Sequence, residues 1–196
     1  AMATDPTVNW PYAFAATLAL RESRIADAGE FIRISEERLV NPDYAALLLN
    51  TTYGQEITTT HPLIISLEGF STFSLRQWRT TLETVDRALA QDGFVPDLYL
   101  LQGIAHCNLE DYAAAEESYT NLLTIMPEYT VAYALRAEVR LRQNKSLAAL
   151  SDLRTVNESE QADRFAIVIP LVQSGEITCV NLLDTDFEML TQVDDE

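Results

Sequence analysis

A chain of 196 residues, 47% of them apolar, can fill one ordinary core, which excludes a disordered polymer. Thirteen Lys and Arg stand against thirty Asp and Glu, a formal charge of −17. That field excludes the basic footprint of a nucleic-acid binder and disfavours an anionic membrane surface. No run approaches the roughly 18 apolar residues of a membrane span, and two cysteines, Cys107 and Cys179, are too few for a disulfide framework.

In chain order, Ala1-Met2-Ala3 reads as the remnant of an expression tag and residues 1–10 as a linker, so localisation stays unassigned and an upstream leader or anchor stays open. Apolar spacing near 3.6 predicts helices over 11–27, 30–40 and 43–53, then 63–74, 76–91, 97–109, 112–125, 130–143 and 146–158. Pro11, Pro42, Pro62 and Pro96 suit first helical turns, where a missing N–H costs nothing. Gly29, Gly54, Gly93 and Gly175 are read as breaks. The β-prone run Ile57 to Thr60 is isolated and is read as a loop. Phe165 to Val172 predicts a helix broken or begun at Pro170, followed by an amphipathic helix over 177–191. Residues 159–196 hold one base, Arg164, against nine acids, and read as a solubilising cap and tail.

A shift of 34 residues aligns 62–95, 96–129 and 130–163. Ile65, Tyr99 and Tyr133 coincide, as do Gly69, Gly103 and Ala137. So do Thr81, Ala115 and Ala149, then Val85, Tyr119 and Leu153, then Ala88, Leu122 and Val156. Small residues recurring opposite large ones let two antiparallel helices approach closely, and each pair leaves an apolar face that its neighbour must cover.

On these residues the chain resembles the tetratricopeptide repeat family. Segment 96–129 carries Tyr99, Gly103, Ala115, Tyr119, Leu122 and Pro127, but has Gln102 before the glycine and His106 where an aromatic is usual. Segment 130–163 ends in Gln161 rather than proline. Residues 37–43 look like the close of an earlier, degenerate unit within 11–61. The resemblance implies an all-α, right-handed superhelical stack of antiparallel helix pairs, with repeats over 62–163 and capping helices with an acidic tail over 164–196.

No catalytic constellation is visible: GxxxxGK[ST], GxGxxG and GxSxG are all absent. His106 and Cys107 point about 100° apart on a helix and would not converge on one atom, so His106 is read as packing and Cys179 as a small buried hydrophobe. Asp184, Asp186 and Glu188 lack the glycine and distal glutamate of a calcium loop. No metal site, cofactor or enzymatic activity is therefore assigned.

The resemblance implies instead a concave groove lined by first helices. Here it would hold Leu100, Leu101, Ile104 and Asn108 from one unit, and Val131, Leu135, Glu138, Leu141 and Arg142 from the next. Leu100 and Ile104 stand where a carboxylate clamp would begin, so that variant is not expected. The expected function is non-enzymatic recognition of a peptide or protein partner, with apolar anchors and an acidic rim. The alternatives are cover of this face by the chain's own C-terminal segment, an assembly domain of a larger protein, and a carrier of an apolar small ligand under a Phe165–Val172 lid.

Overall fold

The computed structural model of the chain describes residues 8–38, 62–91 and 96–184. It is all-α. In chain order the helices are α1 (Trp10–Arg21), α2 (Ile25–Glu36), α3 (Pro62–Ser74), α4 (Trp78–Leu89), α5 (Pro96–Asn108), α6 (Tyr112–Ile125), α7 (Thr130–Arg142) and α8 (Ser146–Asn157). Short helices α9 (Ala162–Phe165) and α10 (Val168–Ser174) follow, then a 3₁₀ turn, Leu182–Asp184. Among the described residues, no helix is long and apolar enough to cross a membrane.

The helices pack in consecutive pairs, α1 on α2, α3 on α4, α5 on α6 and α7 on α8, and α4–α5 and α6–α7 join successive pairs. Connections this short make each pair antiparallel. First helices begin at 62, 96 and 130 and second helices at 78, 112 and 146, a constant interval of 34 residues. The connections repeat the same backbone. Arg76, Glu110 and Asn144, again 34 apart, take left-handed φ values of 55°, 64° and 59°. The following amide in each case reaches back five residues, Gln77 to Thr72, Asp111 to His106 and Lys145 to Arg140, at 3.0, 2.9 and 2.8 Å. This closes the last turn as a Schellman motif does and satisfies carbonyls the helix end would otherwise orphan. Asp111 then caps α6 by accepting from the Ala114 amide at 3.2 Å.

All nine aligned second-helix positions are buried: Thr81, Ala115, Ala149, Val85, Tyr119, Leu153, Ala88, Leu122 and Val156. Gly69, Gly103 and Ala137 are buried too, so the alternation of small and large residues sits between the paired helices.

Three expectations are corrected. Gly29 is no break: it lies within α2, and the α1–α2 corner is made by Ser23 at φ 56°, whose successor Arg24 bonds back to Ala19 at 2.8 Å. The helix expected over 177–191 is not formed across 177–184. That stretch is a compact turn, because Asn181 Oδ1 accepts from the Thr178 amide and hydroxyl at 2.7 and 3.1 Å and competes with helical backbone bonding. The carrier alternative needs an enclosed space under Phe165–Val172, and the segment is packed down instead. The helix expected over 43–53 lies outside the described residues, as do Gly54, Gly93, the Ile57–Thr60 run and residues 185–191. Pro170 falls in the first turn of α10, and Gly175 ends that helix at φ 80°, a left-handed conformation that glycine adopts without strain.

Candidate functional site

The face expected to line a groove is covered from both ends of the chain's described part. From the N-terminal side, Arg21 at the end of α1 reaches Asp97 in the first turn of α5 and pairs with both its oxygens, Nε to Oδ1 at 3.3 Å. Tyr129 donates its hydroxyl to the same Asp97 Oδ1 at 2.8 Å. Burial, with the Asp97 carboxylate beside it, pushes the Tyr129 phenol well above its ordinary range. Asp97 thus ties α1, α5 and the approach to α7 at one point. At the α1–α2 corner, Ser23 bonds to Gln161 and Arg164 donates to the Glu22 carbonyl.

From the C-terminal side, residues 165–182 lie across α7. Phe165, Val168, Val172, Ile177, Cys179 and Leu182 face Val131, Ala134 and Leu135, and the space left is about 10 Å³. A volume of that size holds no more than one water, so the space between residues 165–182 and α7 takes no small-molecule ligand; a wider space of about 360 Å³ opens on the other side of Ile167 and Val168, against Arg24 and Asp27. Arg76 holds the far end, bridging Glu36 of α2 at 2.9 Å and Asp184.

Cys107 of α5 and Cys179 are joined by a disulfide with Cα atoms 6.3 Å apart. The reading of Cys179 as a simple hydrophobe is therefore corrected. The bridge spans 72 residues, and in the chain-entropy picture closing such a loop stabilises the fold by about 4 kcal/mol. Glu138 of α7 is 3% exposed and lies against it, its Oε2 2.9 Å from Cys179 Sγ and 4.0 Å from Cys107 Sγ. Its Oε1 accepts from Arg142 Nε at 2.8 Å. Burial raises the Glu138 carboxyl above its ordinary range, against the opposing pull of Arg142 and the Cys179 backbone N–H. Nearby Tyr119 is fully buried, its hydroxyl without a protein hydrogen-bond partner, and burial and then the Glu138 charge raise its phenol. Among the described residues, Cys107, Glu138 and Cys179 are the set whose ligand atoms lie close enough to hold a metal ion. As a cystine the sulfurs carry no thiolate, so the oxidised chain offers a cation only the carboxylate.

On the outer side, a second charge cluster joins α6, α7 and α8. Asp152 takes Arg136 at 2.8 and 3.0 Å and Arg140 at 2.7 Å, and Arg140 also takes Glu116 at 2.8 Å. Lys145 at 2.6 Å and Gln143 at 2.9 Å complete the Glu116 shell. Burial works against the Glu116 charge, but Lys145, Arg140 and Gln143 outweigh it and lower the carboxyl from 4.5 to about 2. A carboxyl depressed on folding contributes stability that is present above its unfolded value and lost as pH falls toward the folded one. Glu116→Gln is therefore expected to flatten the stability curve between pH 4.5 and about 2. Urea unfolding at several pH values in that window checks it; parallel slopes for variant and parent would refute it.

Of the residues expected to line an open groove, Leu100, Leu101, Ile104, Val131, Leu135 and Glu138 are all buried. Asn108 and Leu141 are half-buried, Asn108 donating to the Ile104 carbonyl of its own helix at 2.9 Å, and Arg142 is exposed. As an accessible surface the groove is corrected: the α1 end and residues 165–182 occupy the space over it. The disulfide and the Asp97 node were not anticipated. Two cysteines of even count were the only signal of the first, and an acid at an apolar groove position was the signal of the second.

Compared with known proteins, the chain matches no protein-family model, and no solved structure matches it. A stretch of 104 residues is 29% identical to a serine/threonine-protein phosphatase T of Aspergillus oryzae (strain ATCC 42149 / RIB 40). The stretch covers 53% of this chain and 22% of that relative, so the chain spans about a fifth of the relative's length.

Proposed function

We propose that this chain is a tetratricopeptide-type interaction module, non-enzymatic, caught in a closed form in which its own C-terminal segment occupies the recognition groove. The observation that carries this reading is the seating of Phe165, Val168, Val172 and Ile177 against Val131, Ala134 and Leu135 of α7. Apolar side chains of a short helix laid across a first helix are what helix-in-groove recognition uses, with anchors at near-helical spacing. The 34-residue recurrence of helix starts and left-handed corners supports the superhelical arrangement that such a groove requires. A partner would be a peptide or protein presenting a similar apolar helix face. The acidic surface would favour cationic flanks and speed encounter without supplying most of the affinity. The charged clusters are ion pairs that tie helices together, and no catalytic role is proposed for them.

The test places a protease site between Asn157 and Ala162 of the full chain and cuts it in the presence of a reductant. The released fragment is expected to dissociate on gel filtration, with far-UV circular dichroism of the remainder kept. A labelled peptide of residues 162–184 is then expected to rebind in fluorescence anisotropy. Carrying Val168→Asp and Val172→Asp, the peptide should bind at least tenfold more weakly. A fragment that neither leaves nor exchanges would make the segment a permanent part of the core and overturn the groove.

A further inference from the structure

We propose that Cys107 and Cys179 form a redox site that exchanges with a dithiol reductant, and that reduction unlatches residues 175–184 from the helical body. The inference rests on the groove reading only for what is uncovered; the chemistry and the release stand on their own geometry.

The bridge sits where a latch has leverage. Cys107 is sealed in α5, while Cys179 lies in the terminal turn beside half-exposed Val180. Within the turn Thr178 bonds to Asn181 and Asn181 to the Glu176 carbonyl at 2.9 Å, and the Ile177 amide joins the turn to the Leu171 carbonyl of α10 at 3.0 Å. The turn meets the body through buried Ile177, Cys179 and Leu182, through packing of Leu182–Asp184 on α2, and through the exposed Arg76–Asp184 pair. The cystine is the covalent tie among these contacts, and the surface ion pair beside it contributes little. Three side chains rarely suffice to fix a segment of ten residues against its backbone entropy.

The second observation is the carboxylate. Glu138 Oε2 stands 2.9 Å from one sulfur and 4.0 Å from the other. A disulfide has no hydrogen to donate, whereas a thiol has one. The carboxylate is held in that place by Arg142 on its other oxygen, so its position serves the reduced state of the pair. The buried Tyr119 hydroxyl, unpartnered in the oxidised chain and within the field of Glu138, is a further donor for that state. The groups that face Glu138 are thus Arg142 on its own helix, Tyr119 of α6, Cys107 of α5, and Cys179 with its backbone N–H in the terminal turn.

The step follows thiol–disulfide exchange. Opening of the 178–181 turn exposes Cys179 first. One thiolate of the dithiol attacks Cys179 Sγ and forms a mixed disulfide. The Cys107 sulfur leaves as thiolate and takes a proton from solvent, and the thiol so formed has the Glu138 carboxylate beside it as acceptor. The second thiolate of the reductant then breaks the mixed disulfide, freeing Cys179, which is protonated from water. In sum, the cystine gains two electrons and two protons, and the reductant becomes its cyclic disulfide.

The experiment uses the full chain with dithiothreitol as the probe. Without it, alkylation is expected to find no free thiol. With it, two thiols should appear in native buffer while far-UV circular dichroism holds. Deuterium uptake over 175–184 should then accelerate at least tenfold, with α5 to α8 unchanged. In Glu138→Gln the reduced pair loses its charged acceptor, so the ratio of reduced to oxidised dithiothreitol at half-reduction should rise at least tenfold. Free thiols in the untreated chain, reduction that demands denaturant, or unchanged uptake over 175–184 would each overturn the latch. None of these readouts involves a bound peptide, so failure of the groove reading leaves them intact, and the cleavage experiment above, repeated on Cys107→Ala/Cys179→Ala, is blind to the latch because no bridge then tethers the fragment.

Discussion

Asp152→Ala is expected to lower stability by about 3 kcal/mol, the scale for removing one partner of a buried ion pair, with a fall in Tm of roughly 6–12 °C for a chain of this size. Asp152 is 3% exposed and accepts from Arg136 and Arg140, both on the neighbouring helix α7. The two arginines fare differently when it is lost. Arg140 keeps Glu116 at 2.8 Å, but Arg136 keeps only the Thr120 hydroxyl at 3.2 Å and the face of Tyr133 at 5.4 Å. The destabilisation therefore comes mainly from leaving the Arg136 charge in a site with little water. Replacing the pair together, Arg136→Leu with Asp152→Leu, removes that charge and should recover most of the loss. Chemical unfolding of the two variants checks both statements; a loss under about 1 kcal/mol in Asp152→Ala would mean that the pair is effectively solvated.

The second large effect is expected at Gly103. A Cβ there would fall within 2.7 Å of Tyr119 Cδ1 and Cζ, closer than real contacts allow, and the tyrosine is itself fully buried. Gly103→Ala should cost about 2 kcal/mol or more through overpacking, even though alanine is the better helix former. The next unit shows how the conflict is relieved, since Ala137 and Leu153 occupy the corresponding places there. Gly103→Ala combined with Tyr119→Leu should then lose less than the two single changes added together. A double-mutant cycle measures that coupling, and a coupling near zero would mean that the two positions do not press on each other.

That cycle also shows why much of the fold was legible. Pairing a small residue with a large one across two helices leaves a trace in the sequence at fixed spacing, and Gly103/Tyr119 repeats as Ala137/Leu153 one period later. The helix starts at 96 and 112 follow from Pro96 and the Asp111 cap, both local signals. The α1–α2 corner was less legible because Ser23 does the work usually given to glycine, and Gly29 offered a false break. The terminal turn was misjudged for a similar reason: apolar spacing over 177–184 fits a helix, but the Asn181 side chain captures the Thr178 amide. The site was the least legible part. Leu101 and Leu135 are buried, and what covers the face they were expected to line depends on contacts between residues more than a hundred positions apart, such as Glu22 with Arg164. No local pattern encodes such a pairing, and the same holds for Cys107 with Cys179.

The contact of the α1–α2 corner with residues 161–164 has a consequence for how the molecule comes apart. An open array of repeats behaves as a one-dimensional chain of units, each coupled only to its neighbours, so that it can fray from an end. Here the first pair and the segment beyond the last pair touch, through Ser23 with Gln161 and Glu22 with Arg164. Neither the α1–α2 pair nor the segment after α8 is then free to fray alone. Unravelling either one strips contacts from the other, which favours a single concerted transition over stepwise melting. Contacts of such long sequence separation also slow folding relative to an open stack of equal size, since the ring closes only after its intervening units are in place.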